Sequence, residues 1–317
     1  MVLDTRFSKK EMDMKLFNRW ARRSDQFASG TRIRLSAVTV SAAVVAVTWF
    51  APASYAQNVG WQAAPASVVT AVSHVPAAVF NGVGLQPDVT PPVVLSGQSA
   101  LRLGAKPAVF FIGAETCPLC AAERWAFLVA TSRFGTWSHL GIAQSASDDV
   151  DPNTQTFSFL RATYSSPYVS IRTVDFAKLN GRSAVLATLS APERRAYLSL
   201  DVAKYVPNNP GTFPFVDFAN RVFIAGASYD PGQLQGLTRA QIAAVLSNAS
   251  SPVTKSIVAT ANYMTAAICS LDGQKPVNVC GSGGVIQSAN FAKITGSTSH
   301  GCATQVTSKP SCAPSAP

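Results

Sequence analysis

The chain has 317 residues, 47% of them apolar and only 13% charged, so it can bury a sizeable core while carrying about half the charge usual for a soluble domain. Its net charge of +10 is concentrated at one end: residues 1–34 hold nine Lys and Arg against four acids, and the rest of the chain is thinly charged. No basic stripe interleaved with aromatics follows, so nucleic acid is not an expected partner.

The basic region 1–34 leads into an uncharged run, Leu35–Ala51, followed by Pro52 and the small residues Ala53-Ser54-Tyr55-Ala56. Two readings compete. A signal peptide would be cleaved after Ala56, with Ser54 and Ala56 as the small residues a peptidase reads. A signal anchor over 35–52 would keep the helix, since about 18–20 apolar residues span the hydrocarbon core; the long basic region favours the anchor. In both readings the basic block stays in the cytoplasm and the remainder goes outside. The expected location is a single pass through the cytoplasmic membrane with the C-terminal domain outside, or a secreted or periplasmic protein if cleaved.

Residues 53–91, rich in Ala, Val, Pro and Gly, read as a linker with one short helix. An α/β domain is expected over 92–250. It opens with the strand-like run VVLSG and a second, continuously apolar run at Ala108–Ile112, as suits a central strand buried on both faces. Glu115-Thr116-Cys117-Pro118-Leu119-Cys120 follows, then a helix with Ala121, Trp125, Leu128 and Val129 on one face and Gly135 as its stop.

Further strands are expected in HLGIAQSAS and in QTFSFLRATY and YVSIRTVDF, the last two joined around Ser165-Ser166-Pro167. Ser190-Ala191-Pro192-Glu193 opens a helix with a capping box. Two alternating strands turn at Ala219-Asn220 and are entered through Phe213-Pro214. Thr238 and Gln241 cap another helix. A helix from about Pro252 to Leu271 begins a C-terminal extension over 251–285, and a Ser/Thr-rich tail occupies 286–317.

The informative placement is the Cys-Pro-Leu-Cys at a strand-to-helix junction. A thiol attacks only as the thiolate, and a helix N-terminus favours the anion. Cys117 is therefore the expected nucleophile and Cys120, one turn in, the resolving thiol. Pro118 suits the first turn, where its missing N–H costs nothing. Zinc uses the same spacing but needs four ligands, and His74, His139 and His300 stand near no second such pair. No metal or cofactor is expected.

These residues resemble the thioredoxin-like superfamily. FFIGAETCPLC is similar to its active-site strand and loop, and Thr212-Phe213-Pro214 with two antiparallel strands and a helix to its cis-proline half. GAETCPLCAAERWAFLVATSRFG, with TFSF, TYSSPY, PFVDFANR and NYMTAAIC, resembles the membrane-linked branch catalogued as domain of unknown function 929, over roughly residues 70–285. The resemblance implies a thioredoxin-like mixed sheet flanked by helices, with an inserted hairpin and helix across 148–211 and a C-terminal helical extension. It also implies a groove for substrate at Pro118, Phe213 and a cis Pro214. The chain departs from thioredoxins in having Phe111 where they bury an Asp six residues before the first cysteine; Glu115 or Glu123 are candidates to tune the charge instead.

The expected function is thiol–disulfide exchange by Cys117 and Cys120 on cysteine-containing exported proteins, with an unidentified redox partner. Two alternatives stand: a metallochaperone carrying a soft ion such as Cu(I) on both thiolates, and a non-catalytic module whose pair is a permanent disulfide. Cys269 with Cys280, and Cys302 with Cys312, are candidate structural disulfides. Trp125, Trp137, Phe157 and Phe159 read as core, Glu123 and Arg124 as a solvated helix face, and His139 as a surface residue.

Overall fold

The computed structural model describes residues 61–179, 182–185, 189–208 and 210–294. The apolar segment 35–52, the Ala56 cleavage position, Cys302 and Cys312 lie outside the described residues.

Two helices open the described chain, α1 (Ala66–Ser73) and α2 (Ala77–Val83), each beginning just after a proline. Val68, Val72, Val79, Phe80 and Val83 are buried in the main core. The stretch expected to be a linker with one short helix thus carries two, both packed onto the domain, because their valines recur at helical spacing.

The central sheet grows around β3 (Lys106–Ala114), whose residues after Lys106 are all buried. Short strands β1 (Val93–Val94) and β2 (Arg102–Leu103) precede it. After β3 the chain enters α3 (Pro118–Thr131), then the strands β4 (Thr136–Ser138), β5 (Gly141–Gln144), β6 (Gln155–Ser158) and β7 (Thr163–Ser165). It then returns to the sheet as β8 (Ser170–Leu179) and β9 (Arg182–Val185). Helix α4 (Ala191–Leu200) leads to β10 (Phe215–Phe218) and β11 (Val222–Ala225). Among the described residues the main sheet has the order β1-β11-β10-β3-β8-β9, with β2 beside β3. β3 and β8 are parallel and the other pairs antiparallel. The parallel pair with its helical crossover, followed by the antiparallel hairpin β10–β11, makes this an α/β fold with a thioredoxin-like mixed sheet flanked by helices.

One sequence reading is corrected by the register. QTFSFLRATY and YVSIRTVDF do not pair with each other: β6 pairs with β5, β7 with β4, and β8 with β3 and β9. The apolar Val169, Val174 and Phe176 are fully buried, and such a run is better sheltered inside the sheet than in an exposed hairpin. The turn at Ala219-Asn220 forms as expected, with both residues at positive φ and the register running from Phe215 opposite Ala225 to Phe218 opposite Val222.

Alternation sorts the strand residues onto two faces. Val109, Phe111, Val216, Phe218, Val222 and Ile224 join the main core. That side carries α3, η1 (Pro231–Leu234), α5 (Arg239–Val245) and α6 (Pro252–Leu271), with α7 (Val277–Cys280) and α8 (Gly283–Ala292) behind. The 20-residue α6 lies along α3 and supplies Ile257, Val258, Met264 and Ile268 to the core. The opposite face presents Ile112, Ala114, Val174, Phe176, Phe215 and Phe223 to a second cluster. The cover there comes from Leu189, Tyr197 and Leu200, in and just before α4. Both predicted capping boxes are present, Ser190 with Glu193 and Thr238 with Gln241.

Candidate functional site

The two cysteines are where β3 ends and α3 begins. Cys117 is the N-cap residue, in extended backbone, and Pro118 follows at the first helical position. The Cys117 sulfur accepts the Cys120 N–H at 3.3 Å, so the thiol does the work of an N-cap oxygen. The Cys120 sulfur accepts the Ala114 N–H at 3.3 Å, from the last residue of β3. A Cβ on Gly113 would lie 3.2 Å from that sulfur and 2.8 Å from the Phe111 ring, so the strand meets the resolving position at a glycine. Both cysteines are free thiols.

The cysteine assigned as nucleophile is not at the surface: Cys117 is only 2% exposed and Cys120 0%. Both belong to the second cluster, with Ile112, Ala114, Phe176 and Phe213. Burial, followed by the neighbouring Cys117, pushes the Cys120 thiol well above its ordinary range, while Arg124 and the Ala114 N–H pull the other way.

Arg124, read from the sequence as part of a solvated helix face, lies inside the protein. It stands one turn after Cys120 and is 0% exposed. One guanidinium nitrogen donates to Asp175, itself buried on β8 at the position paired with Gly113. The remaining guanidinium nitrogens, Nε and Nη1, have no hydrogen-bond partner. The guanidinium carbon lies 5.4 Å from the Phe111 ring centre and 5.7 Å from that of Phe159. Burial opposes its charge, but Asp175, Cys120 and Glu115 together outweigh that and hold the cation more firmly than usual.

Glu115 belongs to this charge group. Its carboxylate accepts a hydrogen bond from Ser158. Burial and the nearby Asp175 raise its pKa, against the pull of Ser158 and Arg124. Glu123, the other candidate for charge tuning, points elsewhere. It is fully buried and accepts from the Ser228 N–H and hydroxyl, both at 2.8 Å, which ties α3 to the loop after β11. Burial lifts its pKa to about 7, with the two Ser228 bonds opposing. The sequence gives no sharp signal for the Arg124–Asp175 pairing, because Glu123 adjoins Arg124 and Arg172 and Lys178 flank Asp175. Helical periodicity hid it too, since α3 is buried on every side.

Phe213-Pro214 enters the same site. The peptide bond is cis, and the Pro214 carbonyl accepts the Gly226 N–H at 2.8 Å. The register pairs Phe215 with Ile112, so the next residue, Pro214, comes level with Gly113 beside the dithiol. Phe213 is buried, stacked on Phe176 at 5.3 Å between ring centres and 18° between planes.

Cys269 and Cys280 form a disulfide between the end of α6 and α7, with Cα atoms 5.7 Å apart. Trp125, Trp137, Phe157 and Phe159 are core residues as expected, and His139 is exposed. Among the described residues there is no group of three or more His, Cys, Asp or Glu placed to hold a metal ion. No single described helix is long and apolar enough to cross a membrane.

Residues 93–270 match a family model described as "Domain of unknown function (DUF929)". The matched span contains the dithiol, the Arg124–Asp175 pair and Phe213-Pro214. Neither the curated proteins nor the solved structures contain a match to this chain.

Proposed function

The chain belongs to the family described as domain of unknown function 929, and because that description carries no activity, we propose one from the site: thiol–disulfide exchange by Cys117 and Cys120 on exported proteins. The observation that carries this reading is a free dithiol at a helix N-terminus, the second sulfur one turn ahead of a buried guanidinium. The dithiol form reduces a substrate disulfide. The Cys117 thiolate attacks one sulfur, a Cys117–substrate disulfide forms, and the other substrate sulfur leaves as a thiolate. Cys120 then loses its proton and attacks the Cys117 sulfur, releasing the second substrate thiolate. Two electrons pass to the substrate, whose sulfurs each take a proton, and the pair becomes a disulfide. A dithiol donor resets it; run backwards, the same steps oxidise a substrate dithiol.

The N-terminal basic region and the apolar segment 35–52 support an extracytoplasmic site for this exchange, on a membrane anchor or, after cleavage at Ala56, as a secreted or periplasmic protein. Burial of Cys117 favours one competing reading, in which the pair serves as a permanent structural disulfide. A glutathione redox titration with alkylation and mass spectrometry at each step separates the two. A Cys117/Cys120 potential between about −270 and −120 mV supports exchange, and a pair locked below about −300 mV overturns it.

A further inference from the structure

The turn between α5 and α6, which the dithiol chemistry leaves unused, carries Asn248-Ala249-Ser250. Asn248 is the one asparagine in the chain with Ser or Thr two residues on, and the residue between is not proline. That triplet is what transferases of asparagine-linked sugars read. The fold decides whether it can be used. Helix α5 stops at Val245, and the Asn248 N–H donates back to the Val245 carbonyl at 2.8 Å. The Ser251 N–H donates to the Asn248 carbonyl at 3.1 Å, and Pro252 then starts α6. The triplet therefore lies wholly in the turn, outside both helices. Asn248 and Ser250 are exposed, whereas Ala249 is half-buried and packs against the main core. A Cβ on Gly82 of α2 would come within 3.4 Å of the Ala249 methyl. The middle residue is the anchor, and its two neighbours face solvent.

The side chains are placed as well as the backbone. The Ser250 N–H donates to the Asn248 Oδ1 at 3.0 Å, an Asx-turn. That bond brings the residue whose hydroxyl a transferase reads alongside the amide it modifies. It engages only the amide oxygen: the Asn248 Nδ2 and the Ser250 hydroxyl have no hydrogen-bond partner among the described residues. We propose that Asn248 is a glycosylation site, its Nδ2 carrying an oligosaccharide transferred outside the cytoplasmic membrane from a lipid-pyrophosphate-linked donor. In that step Nδ2 bonds to the anomeric carbon of the sugar. The anomeric C–O bond to pyrophosphate breaks, and the lipid pyrophosphate leaves with its electron pair. The Nδ2 proton goes to a base of the transferase, and nothing is oxidised or reduced. A surface turn takes the added bulk without disturbing packing, as a buried helix face could not. Modification requires the extracytoplasmic placement proposed above and is independent of Cys117 and Cys120.

The test uses the full-length chain purified from its own host. Trypsin cuts after Arg239 and Lys255, so the triplet falls within one peptide, 240–255. Tandem mass spectrometry of that peptide is expected to show a sugar mass on Asn248, and a peptide without one overturns the site. Asn248→Gln and Ser250→Ala, made in the same host, are each expected to lose the addition. Ser250→Thr is expected to keep it, because the hydroxyl at the second position remains. A sugar that survives in Asn248→Gln sits on a serine of the turn and overturns the assignment, as does one that survives in Ser250→Ala. All three changes fall on exposed side chains, so thermal midpoints near the parent's are expected and separate loss of sugar from loss of fold. Protease treatment of intact cells distinguishes the two ways to fail. If residues 61–294 are digested from outside while the peptide is bare, the glycosylation site fails alone. If they are protected and the peptide is bare, the extracytoplasmic placement fails with it.

Discussion

Arg124 and Asp175, 51 residues apart in the chain, form a buried ion pair whose cation stands one helical turn behind Cys120. Neither side chain reaches solvent to any useful extent, so each depends on the other for the free energy of its burial. Asp175→Ala is therefore expected to cost about 3–5 kcal/mol by leaving an uncompensated guanidinium inside the protein. The double variant Arg124→Met with Asp175→Leu should lose less than that single, because no charge remains buried. Urea unfolding of the two proteins checks the order, and a double variant weaker than Asp175→Ala would refute the argument.

The same double variant has a second expected phenotype. Burial already pushes the Cys120 thiol up, and Arg124 counteracts that push. Without the cation Cys120 ionises later, so the attack that resolves the Cys117 mixed disulfide slows at neutral pH and recovers on raising the pH. First attack by Cys117 changes much less. Rapid-quench trapping of the mixed disulfide across pH separates the two steps.

Replacing the cysteines singly gives complementary outcomes. Cys120→Ser should accumulate the Cys117 mixed disulfide with a substrate protein, and Cys117→Ser should form none. Non-reducing electrophoresis after acid quench reads both. Accumulation through Cys120 in the Cys117→Ser variant would reverse the assigned roles.

Glu123 makes stability depend on pH. Its folded-state pKa is about 7, against an ordinary 4.5, because burial disfavours the anion. Below about 4.5 the group is protonated in both states and contributes no loss. Between there and about 7 the unfolded chain gives up this proton while the folded chain keeps it, so stability falls as pH rises, then levels off. The loss is on the order of 3 kcal/mol. Asp217, also raised to about 7 by burial, adds in the same direction. Glu123→Gln should flatten its share of the slope in denaturant melts from pH 4 to 8, and an unchanged slope would rule out this assignment.

Gly113→Ala tests how closely β3 meets the dithiol. The added methyl would meet the Phe111 ring at 2.8 Å and the Cys120 sulfur at 3.2 Å. Overpacking of this kind costs about 1–3 kcal/mol, and the displaced Cys120 sulfur should also slow resolution of the mixed disulfide. A parent-like thermal midpoint and rate would show that the strand end yields freely.

Much of this site was legible in the linear sequence because local chemistry wrote it there. A continuous apolar strand, a Cys-Pro pair at a helix start and a Phe-Pro ahead of an alternating hairpin each reflect a constraint within a few residues. Both capping boxes and the span of the helix Pro252–Leu271 were legible for the same reason. What the linear reading missed depends on neighbours distant in the chain. YVSIRTVDF fits a hairpin arm as well as a central strand, and only pairing with β3 decides between them. Glu123 and Arg124 look solvated on a helical wheel, but α6 and the loop at Ser228 cover the faces that a lone helix would leave in water. The burial of Cys117 likewise belongs to a cluster that includes Phe176 and Phe213, both more than fifty residues later in the chain.

The bond between Cys269 and Cys280 has a practical consequence for anyone trimming the gene. The family match stops at residue 270, between the two sulfurs, and just short of the last residue of α6, Leu271. A fragment cut there would carry every residue of the candidate site and still forfeit the crosslink, worth on the order of 3 kcal/mol for so short a loop. It would also leave Cys269 as an unpaired thiol in a chain whose Cys117 and Cys120 are already free. The smallest dependable expression unit is thus longer than the domain boundary advertises, and reaches at least through Cys280.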